Sequence, residues 1–275
     1  MSARLSTRLA ALKHANRAAL VAYVMASDPD HETCLEILRG LPAAGADVIE
    51  LGFPFTDPMA DGPSIQKAAL RALKAGGSLK HTLDLARRFR ETDKDTPLIL
   101  MGYANPIESM GYEAFARDMH ASGADGAIVV DLPPEEDAPL RATFAKHDLS
   151  IIRLATPTTD DNRLTKVLDG ASGFLYYVSV AGVTGANAAT SAAVRGAVGR
   201  LKRATELPVA VGFGVREPEA ARAIAADADA VVVGSAFVDE IAAGEPAQAV
   251  ERVLRKVKLL SEAVRSARAL EGHPA

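Results

Sequence analysis

Eight short apolar runs recur along the chain, separated by stretches whose apolar residues return every three or four positions. The runs fall at Leu20 to Met25, within Ala43 to Gly52, at Pro97 to Tyr103, within Ala121 to Val130, at Leu149 to Ala155, Gly173 to Val180 and Leu207 to Phe213, and within Ala225 to Gly234. Continuous apolar runs of this length read as parallel strands buried on both faces. The stretches between them read as helices at about Glu32 to Leu41, Ser64 to Leu73, Leu79 to Arg90, Ile107 to His120, Glu135 to Lys146, Asp160 to Leu168, Ser191 to Thr205 and Glu217 to Ala226. Strand and helix alternating eight times predict an α/β fold of the (β/α)8, or TIM, barrel type, with an open sheet as the alternative. An extra amphipathic helix precedes the first run, and a closing helix is expected from about Pro246 to Leu270.

The repeat is visible in the letters. AAGADVIELG, ASGADGAIVV and AADADAVVVG each join a helix end to a strand through a Gly-Ala-Asp or Asp-Ala-Asp hinge, as a helix stopping at a left-handed residue would. No linker rich in Gly, Pro or Ser divides the chain, so residues 1–275 are expected to form a single barrel domain.

Charge and cysteine usage narrow the setting. The 31 Lys and Arg residues face 35 Asp and Glu, a net charge of −4 without blocks of one sign, which argues against nucleic acid or an anionic membrane as partner. Cys34 is the only cysteine, so no internal disulfide or cysteine-rich metal site can form, and a reducing cytoplasm is the expected location. The start of the chain lacks the compact apolar core of an export signal. The uncharged stretch from Gly170 to Val194 carries too many Gly, Ser, Thr and Asn residues to span a membrane well.

The densest chemistry lies in GADVIELGFPFTDPMADGPSIQ, Gly45 to Gln66. Glu50 is the only charge inside its strand and falls near the carboxyl end, where barrels place catalytic groups. An apolar lumen and a second acid nearby would both raise its pKa and suit it to proton transfer. A salt bridge to a helix or a solvated strand end is the bland alternative. Asp57 and Asp61 sit on the loop beyond, stiffened by Pro54, Pro58 and Pro63. From pattern alone Asp61 is equally a ligand-facing acid or the cap of the helix beginning near Pro63.

Glycine-bearing turns follow the last three strands at Gly182 to Gly185, Gly212 to Gly214 and Gly234-Ser235. Such turns can offer backbone N–H groups to a phosphate. None forms the dinucleotide fingerprint. Of Tyr176 and Tyr177 one must point into the lumen and one away, since neighbouring strand side chains alternate. Arg153 is expected to turn outward with its head in water. The six histidines fall in helices, at their boundaries or in the tail, and no lysine ends a strand, which leaves acid–base work by carboxylates with no metal or organic cofactor implied.

In these residues the chain resembles the tryptophan synthase alpha subunit family over nearly its whole length. The main match is ELGFPFTDPMADGPSIQKA from Glu50 to Ala68. Supporting matches are SDPD at Ser27, MGYANPI at Met101, DLPPEE at Asp131, ATPTTDD at Ala155, GVTG at Gly182, GFGV at Gly212 and VGSAFV at Val233. The resemblance implies retro-aldol cleavage of indole-3-glycerol phosphate to indole and glyceraldehyde 3-phosphate, with Glu50 and Asp61 catalytic. It further implies an indole pocket lined by Tyr23, Ile65, Met101, Ile128, Val130, Leu154 and Phe213, and an active-site tyrosine at Tyr176. Thr184 and Gly185 would belong to a mobile loop, and Gly214, Gly234 and Ser235 would hold the phosphate.

The resemblance also implies a partner. This would be a beta subunit carrying pyridoxal phosphate, in an α2β2 heterotetramer, facing Phe55, Thr56, Asp57 and Pro58 together with Asn105 and Pro106. A stand-alone indole-3-glycerol phosphate lyase and a catalytically silent phosphate-binding activator are the alternatives. Two departures stand out. Ser179-Val180-Ala181 replaces the stretch where many relatives carry a basic residue, and Tyr23 stands where phenylalanine is commoner.

Overall fold

A computed structural model of the chain describes residues 2–179, 191–212 and 214–268. Nine parallel strand segments form its sheet: β1 (Ala19–Met25), β2 (Val48–Gly52), β3 (Leu98–Gly102), β4 (Gly126–Val129), β5 (Ser150–Ile151), β6 (Arg153–Ala155), β7 (Leu175–Val178), β8 (Val209–Gly212) and β9 (Ala230–Val233). Their order is β5-β4-β3-β2-β1-β9-β8-β7-β6. The two ends of that list, β5 and β6, are joined in the chain by Ile152 alone, so the list closes into a ring. The Ile152 amide bonds the Ala127 carbonyl at 3.0 Å on one side, and Ser172 N–H bonds Ile151 O at 2.9 Å on the other. The eight expected staves are therefore present, the fifth being interrupted at Ile152. The architecture is a (β/α)8 barrel and not an open sheet.

Twelve α-helices lie among the described residues. They are α1 (Ala3–His14), α2 (His31–Ala44), α3 (Pro63–Lys74), α4 (Leu79–Arg90), α5 (Ala104–Met110), α6 (Tyr112–Ser122), α7 (Ala138–Lys146), α8 (Asp161–Leu168), α9 (Ser191–Ala204), α10 (Pro218–Asp227), α11 (Ser235–Ala242) and α12 (Ala249–Ser266). None is long and apolar enough to cross a membrane.

Strand alternation sorts the side chains into two cores. Ile49 and Leu51 face outward with Leu20, Ala22 and Val24 toward the helices. Val21, Val48, Ile99, Ile128, Ile152, Phe174, Tyr176, Ala210 and Val232 fill the lumen. Leu5, Leu9 and Leu12 form one face of α1 and join that inner cluster, so α1 stoppers the end where the strands begin.

The repeated hinge has a structural purpose. The Asp47, Asp125 and Asp229 carboxylates, each just before a strand, accept the Leu20, Leu98 and Val209 amides at 3.0, 2.8 and 2.9 Å, tying each strand start to its predecessor. Each acid is also paired with a cation: Arg17, then Arg4 and Arg90, then Lys202. The left-handed glycine expected at the hinge is found at Gly45 (φ 109°) and Gly123 (φ 80°). At the third hinge Ala228 ends the helix in extended backbone, φ −85°, because alanine disfavours the left-handed region.

Three further expectations change. The helix read from Ile107 to His120 is two, α5 and α6, broken at Gly111 with φ 87°. The closing helix begins at Ala249 after a short 3-10 turn, Pro246–Gln248. Arg153 does not reach water: only 6% exposed, it bonds Asp137 through Nε at 2.9 Å and through its second terminal nitrogen at 2.5 Å. Its remaining donors reach the carbonyls of Lys166, Val167 and Asp169, an outward-facing cation satisfied beneath the helices.

Candidate active site

Strand β2 alternates apolar residues outward and Val48, Glu50 and Gly52 inward, which carries a carboxyl group into an apolar lumen. Glu50 is fully buried, and neither carboxyl oxygen has a hydrogen-bond partner among the described residues. Burial alone pushes its pKa up to about 8. An orphaned buried carboxyl group is costly, and in a native protein it points to a function. Its register neighbours are Tyr23 on β1 and Ile99 on β3.

Asp61 is half-buried on the loop between β2 and α3. It does not cap α3: the N-cap is Gly62, and no side chain bonds the first turn. The loop is held instead by its backbone, with Asp61 N–H on Pro58 O at 3.1 Å and Gln66 Nε2 donating to Asp61 O at 2.8 Å. Burial raises the carboxyl to about 6, and the neighbouring Tyr103 phenol opposes the rise. Tyr103, buried at the end of β3, also accepts the Ala60 amide at 3.1 Å.

The two acids act on the same two phenols. The Tyr176 phenol is raised by burial and then by Glu50 and Asp61, and the Tyr23 phenol by burial and then by Asp61 and Glu50. Each phenol therefore feels both carboxylates. Tyr176 is the inward member of its pair, in the lumen cluster, while Tyr177 lies in the outer one. Glycines leave the phenols room: a Cβ on Gly52 would sit 2.2 Å from the Tyr23 hydroxyl, and one on Gly212 would sit 2.5 Å from the Tyr176 hydroxyl.

Around them lie the other expected liners. Ile65 and Met101 pack with Tyr23 and Met25. Ile128 is in the lumen cluster, with Val130 and Leu154 against it. A cavity of about 440 Å³ opens beside Val130 and Leu154, toward Leu132, Pro133 and Arg153, on the fifth-stave side of the mouth. Gly214 turns at φ 81° in an open position, and Gly234 precedes α11, whose first residue is Ser235. Thr184, Gly185 and Phe213 lie outside the described residues. Among the described residues no three His, Cys, Asp or Glu side chains gather as a metal site.

On the surface, Phe55 and Pro58 are half-buried while Thr56 and Asp57 are exposed, and Met59 beside them is 74% exposed. Asn105 and Pro106 open α5. The Phe55 ring lies 5.3 Å from that of Tyr103, so the two segments touch. Sequence reasoning did not single out Tyr103. Its position at the carboxyl end of a strand was the available signal.

The model of the family described as tryptophan synthase alpha chain matches residues 9–267. The chain belongs to the tryptophan synthase alpha chain family. It is 57% identical to the tryptophan synthase alpha chain of Caulobacter sp. (strain K31) over 267 residues, covering 96% of this chain and 97% of that protein. Identity to the Caulobacter vibrioides (strain NA1000 / CB15N) alpha chain is 58% with the same coverage. Among solved structures, the tryptophan synthase subunit alpha of Legionella pneumophila str. Paris superposes with a TM-score of 0.89 at 39% identity, covering 96% of this chain and 98% of that one. A chain of Mycobacterium tuberculosis tryptophan synthase gives 0.88 at 35% identity, covering 96% and 99%. As a tryptophan synthase alpha chain, the protein is a carbon–carbon lyase acting on indole-3-glycerol phosphate, with no cofactor of its own. The stand-alone lyase and the silent activator are not favoured.

Proposed function

We propose that Glu50 and Asp61 carry the cleavage, with Glu50 as the proton shuttle and Asp61 as the electrostatic stabiliser. The observation that carries this reading is the buried, unpartnered Glu50 carboxyl group with its pKa raised to about 8. At neutral pH it holds a proton it can give away. That proton goes to the indole carbon bearing the glycerol chain, leaving positive charge on the ring nitrogen. Asp61, ionised above about 6, stabilises that charge through the N–H. The Glu50 carboxylate then takes the proton of the hydroxyl beside the breaking bond. As that oxygen becomes the aldehyde, the carbon–carbon bond breaks and its electron pair returns to the indole. Glu50 ends protonated and the ring neutral, so the cycle balances.

Tyr23, Ile65, Met101, Ile128, Val130, Leu154 and Tyr176 are assigned to the indole side of the pocket, supported by the inward side of the staves for six of them and, for Ile65 on α3, by packing against the cluster of Tyr23 and Met25. Gly214, Gly234 and Ser235 are assigned to the phosphate, supported by the open first turn of α11. Family membership implies a beta-subunit partner. The docking surface is read at Phe55 to Pro58 with Asn105 and Pro106, in an α2β2 assembly, and the exposed Met59 beside them favours a contact there. The setting proposed is the cytoplasm, and the whole chain is read as one barrel domain.

Indole release by wild type, Glu50→Gln and Asp61→Asn tests the roles. Each variant should lose about 10²–10⁴-fold in kcat, the usual worth of acid–base and charge-stabilising groups. A Glu50→Gln enzyme as fast as wild type removes Glu50 from the chemistry. Native mass of the chain co-expressed with a tryptophan synthase beta subunit tests the stoichiometry.

A further inference from the structure

A phenol buried in an apolar lumen needs an acceptor for its proton, and Tyr23 has a poor one. The residue is only 6% exposed, and among the described residues the one hydrogen bond of its hydroxyl runs to Met25 Sδ at 4.0 Å, where a thioether accepts weakly. The Glu50 carboxyl group is not its partner. Yet the two side chains are neighbours: Tyr23 stands in register with Glu50 on the adjoining strand, and both alternate inward with Val21 and Val48. The root of the phenol ring lies against Gly234, where a Cβ would sit 3.3 Å from Tyr23 Cδ1 and 3.4 Å from its Cβ. Its tip lies over Gly52, where a Cβ would sit 2.2 Å from the hydroxyl. Gly52 is the next inward position of β2 after Glu50, on the side of the mouth. The phenol thus spans from the stave assigned to the phosphate to the stave of the acid, and a ligand reaching Glu50 from the mouth meets its hydroxyl.

The substrate limits what can accept that proton. An indole ring offers one N–H donor and an apolar face, with no acceptor oxygen or nitrogen. The phosphate is assigned to Gly214, Gly234 and Ser235, at the root of the phenol and not at its tip. The acceptors left are the hydroxyl oxygens of the three-carbon chain, the part of the substrate on which Glu50 acts.

We propose that Tyr23 is a specificity-determining residue whose hydroxyl donates a hydrogen bond to a hydroxyl oxygen of the substrate's glycerol chain, so that the pocket reads the oxygenated chain as well as the indole ring. The inference rests on the reading that sets that chain at Glu50. A site built to pair a hydroxyl rejects the analogue that lacks it, because its own polar group is then left without a partner.

The test measures binding by titration calorimetry in a Glu50→Gln background, which holds substrate without cleaving it. The two ligands are indole-3-glycerol phosphate and 3-(indol-3-yl)propyl phosphate, which keeps the ring, the chain length and the phosphate and lacks both chain hydroxyls. Adding Tyr23→Phe removes only the phenol oxygen. It should weaken indole-3-glycerol phosphate about ten-fold and the propyl analogue by less than about two-fold, since only the first loses a partner. With Glu50 intact, Tyr23→Phe should lower kcat/KM for indole release by a similar factor. Met25→Leu removes the thioether and keeps the hydroxyl, so it should leave both ligands within about two-fold of the parent. Urea unfolding should find Tyr23→Phe no less stable than wild type, because the folded chain gives the hydroxyl so weak an acceptor. Equal losses for the two ligands, no loss for either, the same pattern from Met25→Leu, or a destabilised Tyr23→Phe overturns the proposal. Activity of Glu50→Gln separates the two levels. Indole release at the wild-type rate defeats the role of Glu50 and this inference with it, whereas an inactive Glu50→Gln with equal ligand losses defeats only the role of Tyr23.

Discussion

Glu50→Gln should make the protein more stable at neutral and alkaline pH while disabling it. The folded chain holds the Glu50 proton to about pH 8, whereas the unfolded chain releases it near the ordinary value of 4.5. Between those values the folded state binds a proton that the unfolded state does not, so stability falls as pH rises. The contribution is fully present below 4.5 and is lost on the way to 8. Each unit is worth about 1.4 kcal/mol, so by about pH 7 the loss is on the order of 3 kcal/mol, a large share of a typical folding free energy. Glutamine has nearly the same shape and cannot ionise, so it escapes the loss.

Urea unfolding of both proteins, followed by far-UV circular dichroism at several pH values, isolates this effect. Every other titrating group is common to the pair and cancels in the difference. The stability of Glu50→Gln minus that of wild type should grow by about 3 kcal/mol from about pH 5 to 7.5. Any fixed cost of burying the amide adds a constant and leaves the slope untouched. Parallel curves, offset by the same amount at every pH, would refute the claim that Glu50 is buried without a partner. A stabilised but inactive variant is the expected signature of a group retained for chemistry at the expense of the fold.

Activity should itself be confined by the same two acids. The profile of kcat/KM should rise through about 6 as Asp61 ionises and fall through about 8 as Glu50 loses its proton, and Asp61→Asn should abolish the acid limb. Arg153→Ala takes from the buried Asp137 carboxylate its two-nitrogen partner, leaves it only Arg141 at 3.6 Å, and should cost about 3 kcal/mol in denaturation measurements, much of it recovered by replacing both partners with Met and Leu. Gly52→Ala forces a methyl to within 2.2 Å of the Tyr23 hydroxyl and should cost about 1–3 kcal/mol. Tyr23→Phe should not relieve it, since the ring carbon is itself only 2.7 Å away.

Much of the barrel was legible because a strand buried on both faces leaves a run of apolar letters, and a hinge between helix and strand leaves a glycine. The parity rule correctly divided Tyr176 from Tyr177. It also turned Arg153 outward, but pattern could not show that Asp137 and three carbonyls wait under the helices in place of water. The break at Gly111 was hidden because α5 and α6 together keep a helical spacing, and only the positive φ separates them. Asp61 could be read two ways until the fold showed α3 beginning at Pro63, with Gly62 as its N-cap and no side-chain cap. The bond between the Tyr103 hydroxyl and the Ala60 amide was invisible because it depends on a loop 43 residues earlier folding back onto the end of β3.

The carboxylates at the two ends of the barrel show how one residue type serves opposite purposes. Asp47, Asp125 and Asp229 stand where strands begin, and each meets both a backbone N–H and a cation. Such acids stitch neighbouring staves together. Glu50 stands where a strand ends, and among the described residues its oxygens have no hydrogen-bond partner. The difference lies in what the surroundings supply. Cations lie within reach of the strand starts, whereas around Glu50 the register brings tyrosine, isoleucine and glycine. A cation beside Glu50 would hold its carboxylate ionised and leave it no proton to give at neutral pH. Among the described residues no cation pairs with Glu50, and that is what keeps the residue able to act as an acid.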